Sequence, residues 1–109
     1  MENNEYQEAT KRTWKPTSNI HFDMLYLAAG LASEAGEVVG LIKKHTMHGK
    51  VLSVNDVEEE LGDTLWYASR LAGMLGLDLS HIMKVNIEKL DARHGDQDPD
   101  KFYTITDDS

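Results

Sequence analysis

Four acidic residues stand at spacings that could do chemistry: Glu34 and Glu37 in SEAGEV (33–38), and Glu60 and Asp63 in EELGD (59–63). Residues three apart on a helix are neighbours on one face, so each pair can share a ligand. At about 100° per residue, Glu34 falls among Leu27, Leu41 and Val38, and Glu60 falls between Tyr67, Leu71 and Thr64. Glu37 and Asp63 sit on the flanks of those apolar arcs. A carboxylate aimed inward demands a compensating cation. All-oxygen donors select Mg²⁺ or Mn²⁺. Di-iron bundles instead pair glutamate with Glu-x-x-His, and the positions three after Glu34 and Glu60 hold Glu37 and Asp63. Magnesium is held jointly by carboxylates and substrate phosphates, so a phosphorylated substrate is the matching expectation.

A second group suits such a substrate. Asn86, Lys89 and Arg93 in KVNIEKLDARHG (84–95) lie within about 60° of one another on a helix. One amide and two cations on one face can clamp phosphate oxygens; the competing reading is a solvated helix end whose cations suit the dipole. Lys43, Lys44, His45, His48 and Lys50 make a further basic patch, read as a solvated loop or as an anion-steering one.

The elements that must position these groups are helices. A short polar helix is expected from Asn3 to about Thr13, ended by Pro16. A long one runs from about Phe22 to Lys44, with Leu27, Leu31, Ala35, Val38, Val39 and Ile42 as its apolar stripe. Residues 45–53 read as a loop turning at Gly49. A second long helix opens at Ser53 or Asn55 and stops at Gly76, burying Val57, Leu61, Thr64, Leu65, Ala68, Leu71 and Leu75. A third opens at Asp78 or Ser80, carries Ile82, Met83, Val85, Ile87 and Leu90, and ends at Gly95. No alternating run reads as a strand. The expectation is an all-α antiparallel helical bundle completed by oligomerisation, with one domain over 1–95 and an acidic tail over 96–109. In that tail Phe102, Tyr103 and Ile105 are candidates for docking on a partner.

Composition narrows the function. A chain of 109 residues with 40% hydrophobic content has a modest core, which favours self-association. A formal charge of −8 argues against a nucleic-acid polymer as partner, since that binding is driven by phosphate neutralisation. There is no cysteine, hence no disulfide and no thiolate site. The polar start MENNEYQEAT lacks a signal-peptide core, and no uninterrupted apolar run approaches the roughly 20 residues of a membrane span. A cytoplasmic protein with no membrane partner is expected.

Taken in order, SEAGEV, EELGDTLWYASRLA and NIEKLDARHG resemble the all-α nucleoside triphosphate pyrophosphohydrolases of the MazG type, in particular their small dCTP pyrophosphatase-like branch. The resemblance covers roughly residues 20–95. It departs once: the leading glutamate of the family's Glu-Glu-x-x-Glu element is Ser33 here, a position where that branch also carries small residues. The resemblance implies cleavage of a nucleoside triphosphate to monophosphate and pyrophosphate with Mg²⁺, by homodimers or homotetramers with shared sites. It implies that Glu34, Glu37, Glu60 and Asp63 hold the metal, that one of them orients the attacking water, and that Asn86, Lys89 and Arg93 bind the phosphates. Trp14, in TWKPTSNI, is similar in placement to a base-contacting aromatic of that branch, and reads equally as a packing residue. Trp66 and Tyr67 read as core or interface. The alternatives are the related phosphoribosyl-ATP pyrophosphohydrolases and a catalytically silent helical regulator that binds nucleotide or protein.

Overall fold

A computed structural model describes residues 1–95; the expected tail, with Phe102, Tyr103 and Ile105, lies outside the described residues. Four helices follow one another: α1 (Asn3–Ala9), α2 (Ile20–His48), α3 (Val54–Met74) and α4 (Leu79–His94). A 3₁₀ turn (Thr10–Thr13) continues α1. No strand occurs among the described residues.

The helix ends follow from local chemistry. The Asn19 side chain accepts from the Phe22 amide to open α2, Ser53 accepts from Asp56 to open α3, and Asp78 accepts from Ser80 to open α4. Gly49 closes α2 in the left-handed region at φ 66°, which a residue without Cβ reaches at no steric cost. Helix α2 runs four residues past the expected end at Lys44, so His45 and His48 are helical. Helix α1, too short to be stable alone, is fastened by side chains. The Gln7 amide donates to the Leu77 carbonyl and accepts from the Leu79 amide, which ties α1 to the α3–α4 junction.

Helices α2 and α3 form the body, an antiparallel hairpin with most of the chain's interhelical packing. Its closest approach depends on Gly30: a methyl group there would overlap the Tyr67 ring. Gly30→Ala should therefore destabilise the protein by about 1–3 kcal/mol, the usual penalty for overpacking. Denaturant melts check this, and Gly36→Ala, where the added methyl meets nothing, is the control.

Little apolar surface is enclosed. Among the described residues, the fully or nearly buried hydrophobic ones are Leu27, Ala72 and Leu79. Several expected core residues are instead exposed in the single chain: Leu61 and Leu65 on α3 and Leu75 just past its end, Ala35, Val39 and Ile42 on α2, and Ile82, Met83, Val85, Ile87 and Leu90 on α4. The physical reason is geometric. A two-helix seam covers one narrow stripe per helix, whereas these stripes are wide enough for two neighbours. The apolar excess also makes α2 long and apolar enough to cross a membrane by length and composition, with mean hydropathy 1.4 in its most apolar window. Glu34 and Glu37 divide the stretch, so no uninterrupted apolar run of that length marks it in the sequence.

Candidate active site

Helices α2 and α3 bring carboxylates together across their seam. Ligand oxygens of Glu34, Glu60 and Asp63 lie within 4.8 Å of one another. Glu34 and Glu60 are half-buried, Asp63 is exposed, and Glu59 one residue before Glu60 faces solvent, as the helical phase requires. Glu37 is exposed and stands outside this trio. Its charge nevertheless reaches Glu60.

The electrostatics are those of crowded anions. The Glu60 carboxyl is pushed up to about 7, first by a hydrogen bond shared with Glu34, then by desolvation, then by the charges of Glu34, Asp63 and Glu37. Glu60 Oε2 is closed to water and has no hydrogen-bond partner. A buried acceptor without a donor, beside two further carboxylates, fits a hard divalent cation as the missing partner.

Aromatic rings stand next to the acids. A cleft of about 300 Å³ is lined by Glu34, Asp63, Thr13, Trp66 and Tyr67. A second cavity, about 230 Å³, is lined by Thr13, Trp14, Lys15, Thr17, Phe22, Asp23, Tyr26 and Trp66. The two share Thr13 and Trp66, whose side chains are joined by a 2.8 Å hydrogen bond from Trp66 Nε1 to Thr13 Oγ1. Trp14 stacks on Tyr26 and meets the edge of Trp66, both with ring centroids 6.1 Å apart. Trp66 meets Tyr67 edge-on at 5.0 Å. The Tyr67 hydroxyl is raised above its ordinary value by a hydrogen bond with Tyr26, by burial and by nearby charges including Glu34 and Asp63.

The α4 residues lie elsewhere. Helix α4 packs on α1 and makes no comparable contact with α2 or α3. Asn86 and Lys89 line their own cavity with His81, Ile82 and Val85, and Arg93 is exposed near the end of the helix. One chain therefore does not unite them with the acids, although all share a helix face with one another as expected. The Lys43–Lys50 patch is exposed, with His45 Nδ1 2.8 Å from the Lys50 carbonyl.

Other residues of the site were missed in the sequence. Trp66 and Tyr67 are half-buried walls of the cleft rather than core. Thr13, Tyr26 and Asp23 carried no signal, being ordinary residues until the turn before α2 folds back on α3. Gly30 did carry one: a glycine inside an apolar helix costs about 1 kcal/mol against alanine, so it marks a close approach.

The family model for the MazG nucleotide pyrophosphohydrolase domain matches residues 22–97, well over half of the chain. The chain belongs to the MazG family. The all-helical fold agrees with that membership. This MazG chain is also similar to the Gene 37 protein of Mycobacterium phage L5, with 38% identity over 72 residues. The matched stretch is 62% of this chain and 63% of the phage protein, so the chain spans less than two thirds of that relative's length. No solved structure matches it. The MazG match takes in all four acids and the α4 residues, and leaves Thr13 and Trp14, which wall the cleft and the aromatic cavity, to the segment before it.

Proposed function

We propose that this MazG chain hydrolyses a nucleoside triphosphate between its α and β phosphates, giving the monophosphate and pyrophosphate. The observation that carries this reading is the shared wall. A cleft lined by Glu34 and Asp63, whose oxygens converge with those of Glu60, adjoins an aromatic cavity through Thr13 and Trp66, so one ligand can meet both. Phosphates require a cation among acids, and a nucleobase requires flat rings at a fixed distance from them.

Glu34, Glu60 and Asp63 hold Mg²⁺, or Mn²⁺ in its place, with Glu37 adding charge at the rim. When bound, such an ion supplies charge neutralisation for the phosphates and acidifies water. The chain's own side chains do the rest. One of the carboxylates, left unsaturated by the ion, orients the attacking water. Trp14 stacks the base, with Tyr26 behind it and Trp66 across the shared wall. Asn86, Lys89 and Arg93 bind phosphate oxygens from a second copy of the chain, since their own α4 stands apart from the acids. A homodimer or homotetramer is part of the same proposal, supported by the exposed apolar stripes on all three long helices. The setting proposed is cytoplasmic, among free nucleotides, with no membrane or nucleic-acid partner.

The test is a panel of ribo- and deoxynucleoside triphosphates incubated with and without Mg²⁺, with products resolved by chromatography. Monophosphate and pyrophosphate should appear in equal amounts, and only with the metal. Orthophosphate and diphosphate as first products would reject the cleavage site, and no product from any nucleotide would reject the activity.

A further inference from the structure

Two ionisable side chains are more than nine-tenths buried among the described residues, Asp23 at 3% exposure and Arg70 at 6%. Neither forms an ion pair there. Arg70 Nε donates to Thr10 Oγ1, itself buried, and Nη2 donates to the Gln7 carbonyl at 2.7 Å. Thr10 Oγ1 in turn donates to that same carbonyl at 2.6 Å. Asp23 accepts from the Thr17 amide at 2.9 Å and the Thr17 hydroxyl at 2.8 Å. The two buried charges thus pin the two ends of one segment. Between those ends lie Thr13, bonded to Trp66, and Trp14, stacked on Tyr26.

A buried charge hydrogen-bonded to neutral acceptors, with the Glu8 carboxylate acting on it only from a distance, is a poor way to gain stability, because well-packed apolar side chains serve as well or better. What a guanidinium supplies is direction: a planar fork with donors at fixed angles. We propose that Arg70 is a positioning residue for nucleotide binding, fixing the 3₁₀ turn so that Thr13 and Trp14 complete the wall between cleft and aromatic cavity. Arg70 lines neither space; it faces a separate polar cavity with Asn4, Gln7, Glu8, Lys11 and Asp78. Its action therefore passes through the turn. The inference rests on the nucleotide reading of the site, and deepens it by assigning the segment before the MazG match to substrate affinity.

The test compares Arg70→Lys, Trp14→Ala and their double variant with the unmodified chain. Lysine keeps the charge but cannot direct two donors to Thr10 and Gln7. In ligand-free protein, the near-ultraviolet circular dichroism of the two tryptophans should weaken in Arg70→Lys, with far-ultraviolet helix content intact. For the nucleoside triphosphate turned over best, KM should rise about tenfold, the worth of one base-stacking contact, with kcat within about twofold. The double variant should have the KM of Trp14→Ala alone, because both act on one contact. A folded Arg70→Lys with an unchanged tryptophan spectrum and KM, or losses that add, would overturn the proposal and leave Arg70 a simple tether. If Arg70→Lys does not fold, Thr10→Val removes the acceptor instead and must give the same spectral and KM changes; native values would equally overturn it. The spectral measurement needs no turnover, so a chain that hydrolyses nothing defeats the activity while this arm still reports whether Arg70 places Trp14.

Discussion

Glu60→Gln raises the melting temperature of the metal-free protein and lowers nucleotide hydrolysis at least about a hundredfold. The first effect comes from relieving repulsion: Glu60 shares its space with Glu34 and Asp63, and one of its oxygens has no donor. The second comes from losing a cation ligand, since residues that merely support such ligands are already worth about 10–100-fold. Mg²⁺ at a hundredfold excess over its dissociation constant should stabilise the unmodified chain by about 2.7 kcal/mol, and the variant should respond weakly. Glu59→Gln, on the solvent face, should keep both activity and response. The pH dependence has a definite sign. Because the folded carboxyl titrates near 7 and the unfolded one near 4.5, the folded chain holds the extra proton between those values. Metal-free stability should thus fall as pH rises through that window and level off above it, whereas Glu60→Gln should flatten the profile. Melting curves across pH 4 to 8 with and without Mg²⁺ read all of this. A variant that keeps the native metal response would mean that the cluster is not the metal site.

Ile42→Glu dissociates the assembly. The unmodified chain should sediment as a dimer or tetramer at micromolar concentration, because Leu27, Ala72 and Leu79 are too few to sustain a stable single chain. Val38, Val39, Ile42, Thr46 and Met47 line an apolar groove of about 540 Å³ on α2, with Lys43 at its margin. A carboxylate buried there without a partner should weaken association at least about a hundredfold, equivalent to about 2.7 kcal/mol. Hydrolysis should fall with it if α4 residues act across the contact. Lys44→Glu, a larger charge change at an exposed position, should leave the assembly intact. An active monomer in the unmodified chain would defeat both the assembly and the shared-site reading.

These expectations show where a sequence is readable. The caps Ser53 and Asp78 and the turn at Gly49 were legible because their chemistry is local. The phase of the acids was legible because a single residue step of about 100° separates Glu60, inside, from Glu59, outside. The faces were not. Leu61, Leu65 and Leu75 share a stripe with residues of the seam, and periodicity says that a stripe is covered without saying by which neighbour. Placing Asn86, Lys89 and Arg93 on one face was sound for the same local reason. Which helix that face meets depends on the docking of α4, which Gln7 directs through backbone groups seventy positions away. Arg70 was unreadable because an arginine on an amphipathic helix is ordinarily solvated, and only the fold of the turn encloses it.

The placement of the acids on a single hairpin also bears on the order in which the chain folds. Glu34 and Glu60 are joined through the short connection between His48 and Val54, so they meet through contacts of modest sequence separation. Contacts of that kind cost little loop-closure entropy, so the hairpin is expected to form before docking of more distant segments or encounter of chains. The repulsion among the carboxylates is then already present at the folding barrier. Mg²⁺ should accordingly accelerate folding more than it retards unfolding, the kinetic mark of an interaction native-like in the transition state. The ion's influence would begin with the making of the hairpin, ahead of any nucleotide.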